Sequence, residues 1–193
     1  ALISEAIEVA ISYYHDHEYE KVLTLGHATL QVQPNVRALR EYYVRSLLQL
    51  DRIDEADAEI RVLERQGSQK DAAFLKGFAA RKRQDHKQAV IHYNRAIELG
   101  RRGTSVRREL AHSYFLLGNL SAAREEIRAA DERDPDNPYI ADLKCQIETK
   151  LGNEREAYQA LNQLRGLDKE EFYWHRKAAV DTAFGRRSDA LDA

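Results

Sequence analysis

Apolar residues recur three and four positions apart along almost the whole chain, as in Ala89-Val90, Tyr93 and Ala96-Ile97, and again in Ala123, Ile127 and Ala130. That spacing gathers them on one face of a helix, and no stretch alternates residue by residue as a half-buried strand would. The pattern predicts an all-α chain of paired helices: 3–16 with 19–32, 37–50 with 53–66, 70–83 with 86–99, 104–117 with 120–133, and 138–151 with 154–166. A helix over 171–184 follows, with a truncated partner from about residue 188.

The pairs repeat. Val22, Ala56, Ala89, Ala123, Ala157 and Ala190 form a column with steps of 34, 33, 34, 34 and 33 residues. A second column lies upstream of it in His17, Asp51, Gln84, Gly118, Gly152 and Gly185. Its last three members are glycines, which take the left-handed conformation at a helix end without a Cβ penalty, so the column marks the turn inside each pair. Gly67, Gly100, Asp134-Pro135 and Gly166 recur at nearly the same interval and separate one pair from the next.

This arrangement resembles the tetratricopeptide repeat, a helix–turn–helix unit of about 34 residues with small, glycine and aromatic residues in fixed slots. The resemblance covers essentially the whole chain. The unit at 104–137 carries Leu110-Ala111, Tyr114, Gly118, Ala123, Ile127, Ala130 and Pro135 in those slots, and the unit at 70–103 carries Gly77, Ala89, Tyr93 and Ala96. Residues 171–193 supply Trp174, Ala178, Gly185 and Ala190, and 3–36 supply Tyr13 and Pro34. The resemblance implies a right-handed α-solenoid of antiparallel helix pairs. It forms a single domain over 1–193, with units near 3–36, 37–69, 70–103, 104–137, 138–170 and a truncated 171–193.

Small residues have a packing role in such a stack. Ala10, Gly77, Ala111, Cys145 and Ala178 fall where the first helix of a unit presses on its neighbour, and Ala56, Ala89, Ala123 and Ala157 do the same for the second helix. Larger side chains there overpack the contact. Cys145 is read as a small apolar filler, with no adjacent base to make it a nucleophile. Gly26 departs from the pattern, because a bulky residue is usual there and a glycine inside a helix costs about 1 kcal/mol relative to alanine. A bent or weakened first unit is the expectation. Lys76, Lys144 and Lys177 stand where leucine is usual, and Glu148 and Asp181 where tyrosine is usual. Lys144/Glu148 and Lys177/Asp181 read as surface ion pairs four residues apart, or alternatively as a partly buried ladder between repeats.

Composition narrows the function. Of the 193 residues, 43% are hydrophobic and 32% charged, with only 9 Gly and 3 Pro, which suits a folded helical chain rather than a disordered one. Thirty Lys and Arg nearly balance 32 Asp and Glu for a net charge of −2, so the overall attraction of a dedicated nucleic-acid binder is missing. No apolar run approaches the length of a membrane span. The single cysteine excludes an internal disulfide or a multi-cysteine zinc site and fits a reducing compartment such as the cytoplasm. With no Met, the chain reads as a piece of a longer or processed protein, and its apolar start (Leu2, Ile3, Ile7, Val9, Ile11) and its stop early in a helix suggest further sequence or self-association through uncapped ends.

The sequence carries no zinc, phosphate-loop, dinucleotide or nucleophile-elbow motif. No cofactor or metal is expected, and the chain reads as no enzyme. His15-Asp16-His17 reads as a solvated turn rather than a metal site. Asn119-Leu120-Ser121 matches a glycosylation acceptor, but its place in an internal turn suits Ser121 as a helix cap. Arg81-Lys82-Arg83 and Arg101-Arg102 lie at helix C-termini, where cations complement the helix dipole. Arg107-Arg108 and Arg186-Arg187 are further basic pairs near helix ends. No regular stacking code for RNA runs through the units.

The resemblance implies that the first helix of each unit lines a concave groove. One helical step from the small slots stand Ile7, Ile11 and Tyr14; then Glu41, Arg45 and Gln49; Phe74, Phe78, Arg81 and Lys82; Arg108, His112 and Phe115; and Tyr139, Asp142 and Gln146. Phe74 and Phe78 read either as ordinary core or, with Phe115, as the apolar floor of a ligand site. In the second reading Arg45, Arg81, Arg108 and His112 receive carboxylates, each charge-assisted bond contributing about 1.5–3 kcal/mol when desolvated. That predicts a protein or peptide partner with acidic residues and apolar anchors. A subfamily that clamps chaperone tails uses Lys, Asn and Arg at places held here by Ile7, Ile11, Tyr42, Asp71 and Leu75, so a clamp of that kind is disfavoured. The sequence thus points to a non-enzymatic protein–protein interaction scaffold or adaptor. A regulatory or oligomerisation segment of a larger enzyme or signalling protein is the alternative, and an RNA-binding solenoid is least supported.

Overall fold

A computed structural model describes residues 2–167 and 170–185, and among them there are eleven helices and no strand. The chain divides into two compact units, Ala1–Arg101 and Arg102–Ala193. In the first unit α1 (Leu2–His15), α2 (Tyr19–Val32), α3 (Arg37–Gln49), α4 (Ile53–Arg65), α5 (Gln69–Lys82) and α6 (His86–Glu98) form three antiparallel pairs. Here α1, α3 and α5 pack side by side, while α2 lies against α1 and α3, and α4 against α3 and α5. In the second unit the same order is followed by α7 (Thr104–Leu116), α8 (Leu120–Asp131), α9 (Pro138–Leu151), α10 (Glu154–Gly166) and α11 (Glu170–Ala183). Observed boundaries fall within one or two residues of those predicted. The partner helix expected from about residue 188, with Arg186, Arg187 and Ala190, lies outside the described residues.

The turn column is a column of left-handed residues: φ is 61° at His17, 56° at Asp51, 62° at Gln84, 77° at Gly118 and Gly152, and 71° at Gly185. Each of the first five closes its helix with the same two bonds, as where Glu18 N–H donates to the Tyr13 carbonyl at 2.8 Å and His17 N–H to that of Tyr14 at 3.2 Å. This double bond pattern satisfies carbonyls that the helix end would otherwise leave unpaired. Gly67 and Gly100 repeat it between pairs, with Ser68 N–H on Leu63 and Arg101 N–H on Ala96, both at 2.9 Å. The same backbone conformation thus recurs every 33 or 34 residues and reverses the chain inside each pair.

Packing follows the small slots. Ala10, Ala56, Ala89, Ala111, Ala123, Cys145 and Ala157 are fully buried, and Tyr14, Val22, Leu30 and Leu39 form one core of the first unit around Ala10. In the second unit Ile127, Ile140 and Ile147 surround Ala111 and Ala123, and Leu161, Leu164, Tyr173 and Val180 surround Cys145 and Ala157. Each aliphatic side chain so buried contributes about 1.5–3 kcal/mol. Ala178 departs from the expectation: it is exposed, since no described helix lies against its face.

α2 runs as one helix through Gly26, and the half-buried ring of Tyr43 on α3 occupies the space beside it. Two local expectations are corrected. The cap of α8 is Asn119, whose side chain accepts from Ala122 N–H at 3.3 Å, while Ser121 lies inside the helix. Lys144 does not pair with Glu148: it reaches back to Asp131 on α8 at 2.5 Å, as Lys76 reaches Glu64 on α4 at 2.6 Å. Glu148, 1% exposed, is instead held by Arg124 at 2.8 Å and Asn153 at 2.7 Å. Lys177 and Asp181 do pair at 2.6 Å, with the Tyr158 hydroxyl also donating to Asp181 at 2.6 Å. The buried ladder is therefore the arrangement present, because a carboxylate on the inward face of its helix must find donors across the helix–helix contact.

Candidate functional site

In the first unit the packing of α1, α3 and α5 brings Tyr14, Tyr42, Phe74 and Phe78 around one cation. The Arg45 guanidinium lies 4.9 Å from the Tyr14 ring centre, 5.4 Å from Tyr42 and 5.9 Å from both Phe74 and Phe78. Gln49, one turn further along α3, donates to the Tyr14 hydroxyl at 3.3 Å. Arg81 sits over Phe78 at 4.6 Å, and Lys82 faces Asp51 at 3.5 Å. Each cation–ring contact contributes about 0.5–2 kcal/mol depending on how dry it is.

A second arginine completes this face. Arg101 follows the left-handed Gly100, and its backbone is tied to Ala96 by the helix-ending bond. From there its side chain crosses to α3 and α5, donating to both carboxylate oxygens of Glu41 at 2.7 and 3.1 Å and to Asp71 at 2.6 Å. Its guanidinium stacks 3.9 Å from the Phe74 ring centre. Glu41 also faces Arg45 at 3.5 Å. Phe74 and Phe78, 0% and 2% exposed, are thus core rings roofed by arginines, and the open apolar floor of the alternative reading is not formed. No local sequence signal marks Arg101 for this face, because its partners lie 30 and 60 residues away and its basic neighbour suggests only a helix-dipole role.

The expected residues of the second unit form a looser set on α7, α9 and α11. Arg108 pairs with Glu109 at 2.7 Å and lies 5.6 Å from the ring of Tyr139, which is 46% exposed and meets Phe172 edge-on at 5.6 Å. Asp142 accepts from Arg176 and from Gln146, the latter at 2.8 Å. Phe115 is half-buried beneath Lys150 at 5.7 Å, and His112 is half-buried on α7. Arg176 is a member that the sequence reading missed. In both units these cations are already paired or stacked on rings, which preorganises their direction.

Chemistry elsewhere is sparse. Burial pushes the Cys145 thiol up to about 11, and its Sγ lies 3.6 Å from the Ala157 carbonyl, so it behaves as a packing group. His17 Nδ1 and the Tyr19 hydroxyl lie 2.8 Å apart in an exposed turn. Among the described residues no three His, Cys, Asp or Glu side chains are arranged to hold a metal ion, and no helix is long and apolar enough to cross a membrane.

Residues 80–147 match the tetratricopeptide repeat family model. No curated protein matches the sequence. Among solved structures the fold is similar to that of a thermophilic tetratricopeptide-repeat protein of Thermus thermophilus, with a TM-score of 0.75 and 16% identity over 94% of this chain and 98% of that one. It is also similar to YrrB, a tetratricopeptide-repeat protein with an unusual peptide-binding site, with a TM-score of 0.61 and 19% identity over 90% of each chain. The APC/C hetero-tetramer Cut9–Hcn1 gives a TM-score of 0.74 and 15% identity over 91% of this chain and 35% of that one. Residues 80–147 thus carry the tetratricopeptide repeat, and the fold of the chain is that of the tetratricopeptide-repeat structures it is similar to.

Proposed function

We propose that this chain is a non-enzymatic scaffold that holds a peptide or protein segment against the first helices of its repeats. The observation that carries the proposal is the α1–α3–α5 face, where Arg45, Arg81 and Arg101 lie over Tyr14, Phe74 and Phe78. The buried rings hold the arginines in direction, and the half-buried Tyr42 ring beside Arg45 is the apolar contact left at the surface, which suits carboxylates flanked by an aromatic or aliphatic anchor. The peptide-binding site named for YrrB supports the reading by analogy of fold.

Screening the full chain against immobilised peptides tests this. Sequences that place glutamate or aspartate beside phenylalanine or leucine should be captured. Arg81→Glu with Lys82→Glu should weaken them at least about tenfold, each lost charge-assisted bond being worth about 1.5–3 kcal/mol. Equal capture of basic peptides, or binding indifferent to the charge reversals, would contradict the proposal.

A further inference from the structure

We infer that the α2–α3 and α4–α5 turns of the first unit form a second docking edge, apart from the first-helix face, for an acidic segment of a partner protein with an aliphatic side chain among its carboxylates. The inference does not rest on the groove reading. The two turns are tied into one edge. The Gln66 side chain donates to the Pro34 carbonyl at 2.8 Å and to Asn35 Oδ1 at 3.1 Å, and Arg37 donates to the Gln66 carbonyl at 2.9 Å. Val32 stands there 80% exposed, beside exposed Pro34 and half-buried Val36, and an open hollow of about 350 Å³ runs along Val32–Val36.

Four exposed cations border this edge: Arg37 opens α3, Arg61 and Arg65 stand one turn apart on α4, and Lys70 lies in the first turn of α5. Among the described residues none of the four has a carboxylate within ion-pair reach. The carboxylates at this end of α3, α4 and α5 are taken by other cations. Glu59 pairs with Arg40, Glu64 with Lys76 at 2.6 Å, and Glu41 and Asp71 with Arg101 at 2.7 and 2.6 Å. Even with two carboxylates set against Arg101, the four unpaired cations leave this end of the three helices positive. The helices add to that charge. Arg37 and Lys70 sit at helix N-termini, where the dipole opposes a cation, and α3 has neither an acidic first turn nor a side-chain cap. A carboxylate docking here relieves both. The apolar half of the edge selects a protein segment. Residues 32–37 and 61–70 contain no aromatic ring, so a nucleic-acid strand finds charge but no stacking platform. Val32 and Pro34 gain only by burial against an aliphatic side chain.

The experiment follows fluorescence anisotropy of a labelled peptide alternating glutamate and leucine, titrated with the full chain carrying Arg81→Glu and Lys82→Glu to remove the groove's share. Binding should remain, and should weaken as salt is raised. Adding Arg37→Gln, Arg65→Gln and Lys70→Gln together should weaken it about tenfold, the sum of three exposed ion pairs. Adding Val32→Ser alone should weaken it about threefold through lost apolar burial. Should the triple change disturb the helical melt, Arg65→Gln with Lys70→Gln serves instead, since neither side chain makes a hydrogen bond or ion pair among the described residues. That pair should cost about fivefold. If the Arg81 and Lys82 reversals alone abolish binding, the edge takes nothing and only the groove reading stands. If binding survives every edge substitution, the inference is overturned. It is overturned too if single-stranded RNA binds this edge more tightly than the peptide, or if light scattering shows self-association that the edge substitutions abolish. If neither the unaltered chain nor any variant binds an acidic peptide, both readings fall.

Discussion

The ring of Tyr93 on α6 fills the space that a side chain at Gly77 of α5 would need: a Cβ there would lie 2.5 Å from both Cδ1 and Cε1 of the ring. Tyr93 is fully buried and has no room to retreat. Gly77→Ala should therefore destabilise the chain by about 1–3 kcal/mol through overpacking, more than offsetting the roughly 1 kcal/mol alanine gains in helix propensity. Gly26 meets the Tyr43 ring almost as closely, with 2.6 Å from a Cβ to Cδ2, but Tyr43 is only half-buried and can swing outward. Denaturant melts should rank Gly77→Ala well below Gly26→Ala; equal losses would contradict the packing account.

Gln84 occupies the left-handed turn position that Gly118 and Gly152 fill in later repeats. A side chain there costs about 1–2 kcal/mol, of which glycine's greater freedom in the unfolded chain returns about half. Gln84→Gly should raise stability by about 0.5–1 kcal/mol, and Gly118→Ala should lower it by a similar amount. Thermal midpoints moving in the same direction for both would argue against a shared turn.

Glu148 is a buried carboxylate whose charge is answered by Arg124. Arg124→Ala should cost about 2 kcal/mol, less than for a fully buried pair because Arg124 is itself 31% exposed. Adding Glu148→Gln should recover part of that loss, since the stranded charge is then gone. Urea melts of the single and double variants check both steps.

His92 on α6 is held below the ordinary imidazole value of 6.5, first by burial and then by Lys76, against smaller opposing effects of Asp85 and Glu64. The fold thus prefers neutral His92, and the unfolded chain takes up the proton first. Its contribution to stability is complete above about pH 6.5 and is lost as the pH falls below that value. Between about pH 7.5 and about pH 5.5 the unaltered chain should lose more stability than His92→Gln, as read by paired thermal melts. Parallel losses would show that His92 is not the group responsible.

Much of the fold was legible because a tandem array writes its geometry locally. The three-and-four spacing marked helix limits, and the His17-to-Gly185 column located the left-handed turn inside each pair even where no glycine stands. The choice of partner for a long charged side chain was not legible. Lys144 and Glu148 share a helix face, yet one crosses to Asp131 and the other to Arg124, because burial rewards donors on the neighbouring helix over a surface contact along the same one. Arg101 was hidden for the same reason: only a turn fixed at Gly100 and 60 residues of intervening chain bring it onto Glu41. Phe74 and Phe78 were left open between core and platform by the sequence, since periodicity gives the face of a helix but not what roofs it.

Binding at the first-helix face of the leading repeats is the claim on which the proposed function stands. The most direct measurement is hydrogen–deuterium exchange on the full chain, with and without an acidic, aromatic peptide selected by the screen. Slowed exchange in α1, α3 and α5, centred on the turns carrying Tyr14, Arg45 and Phe78, with α2, α4 and α6 unchanged, is the result expected. Protection confined to the outward surfaces of α2, α4 and α6, with none at α3, would contradict it.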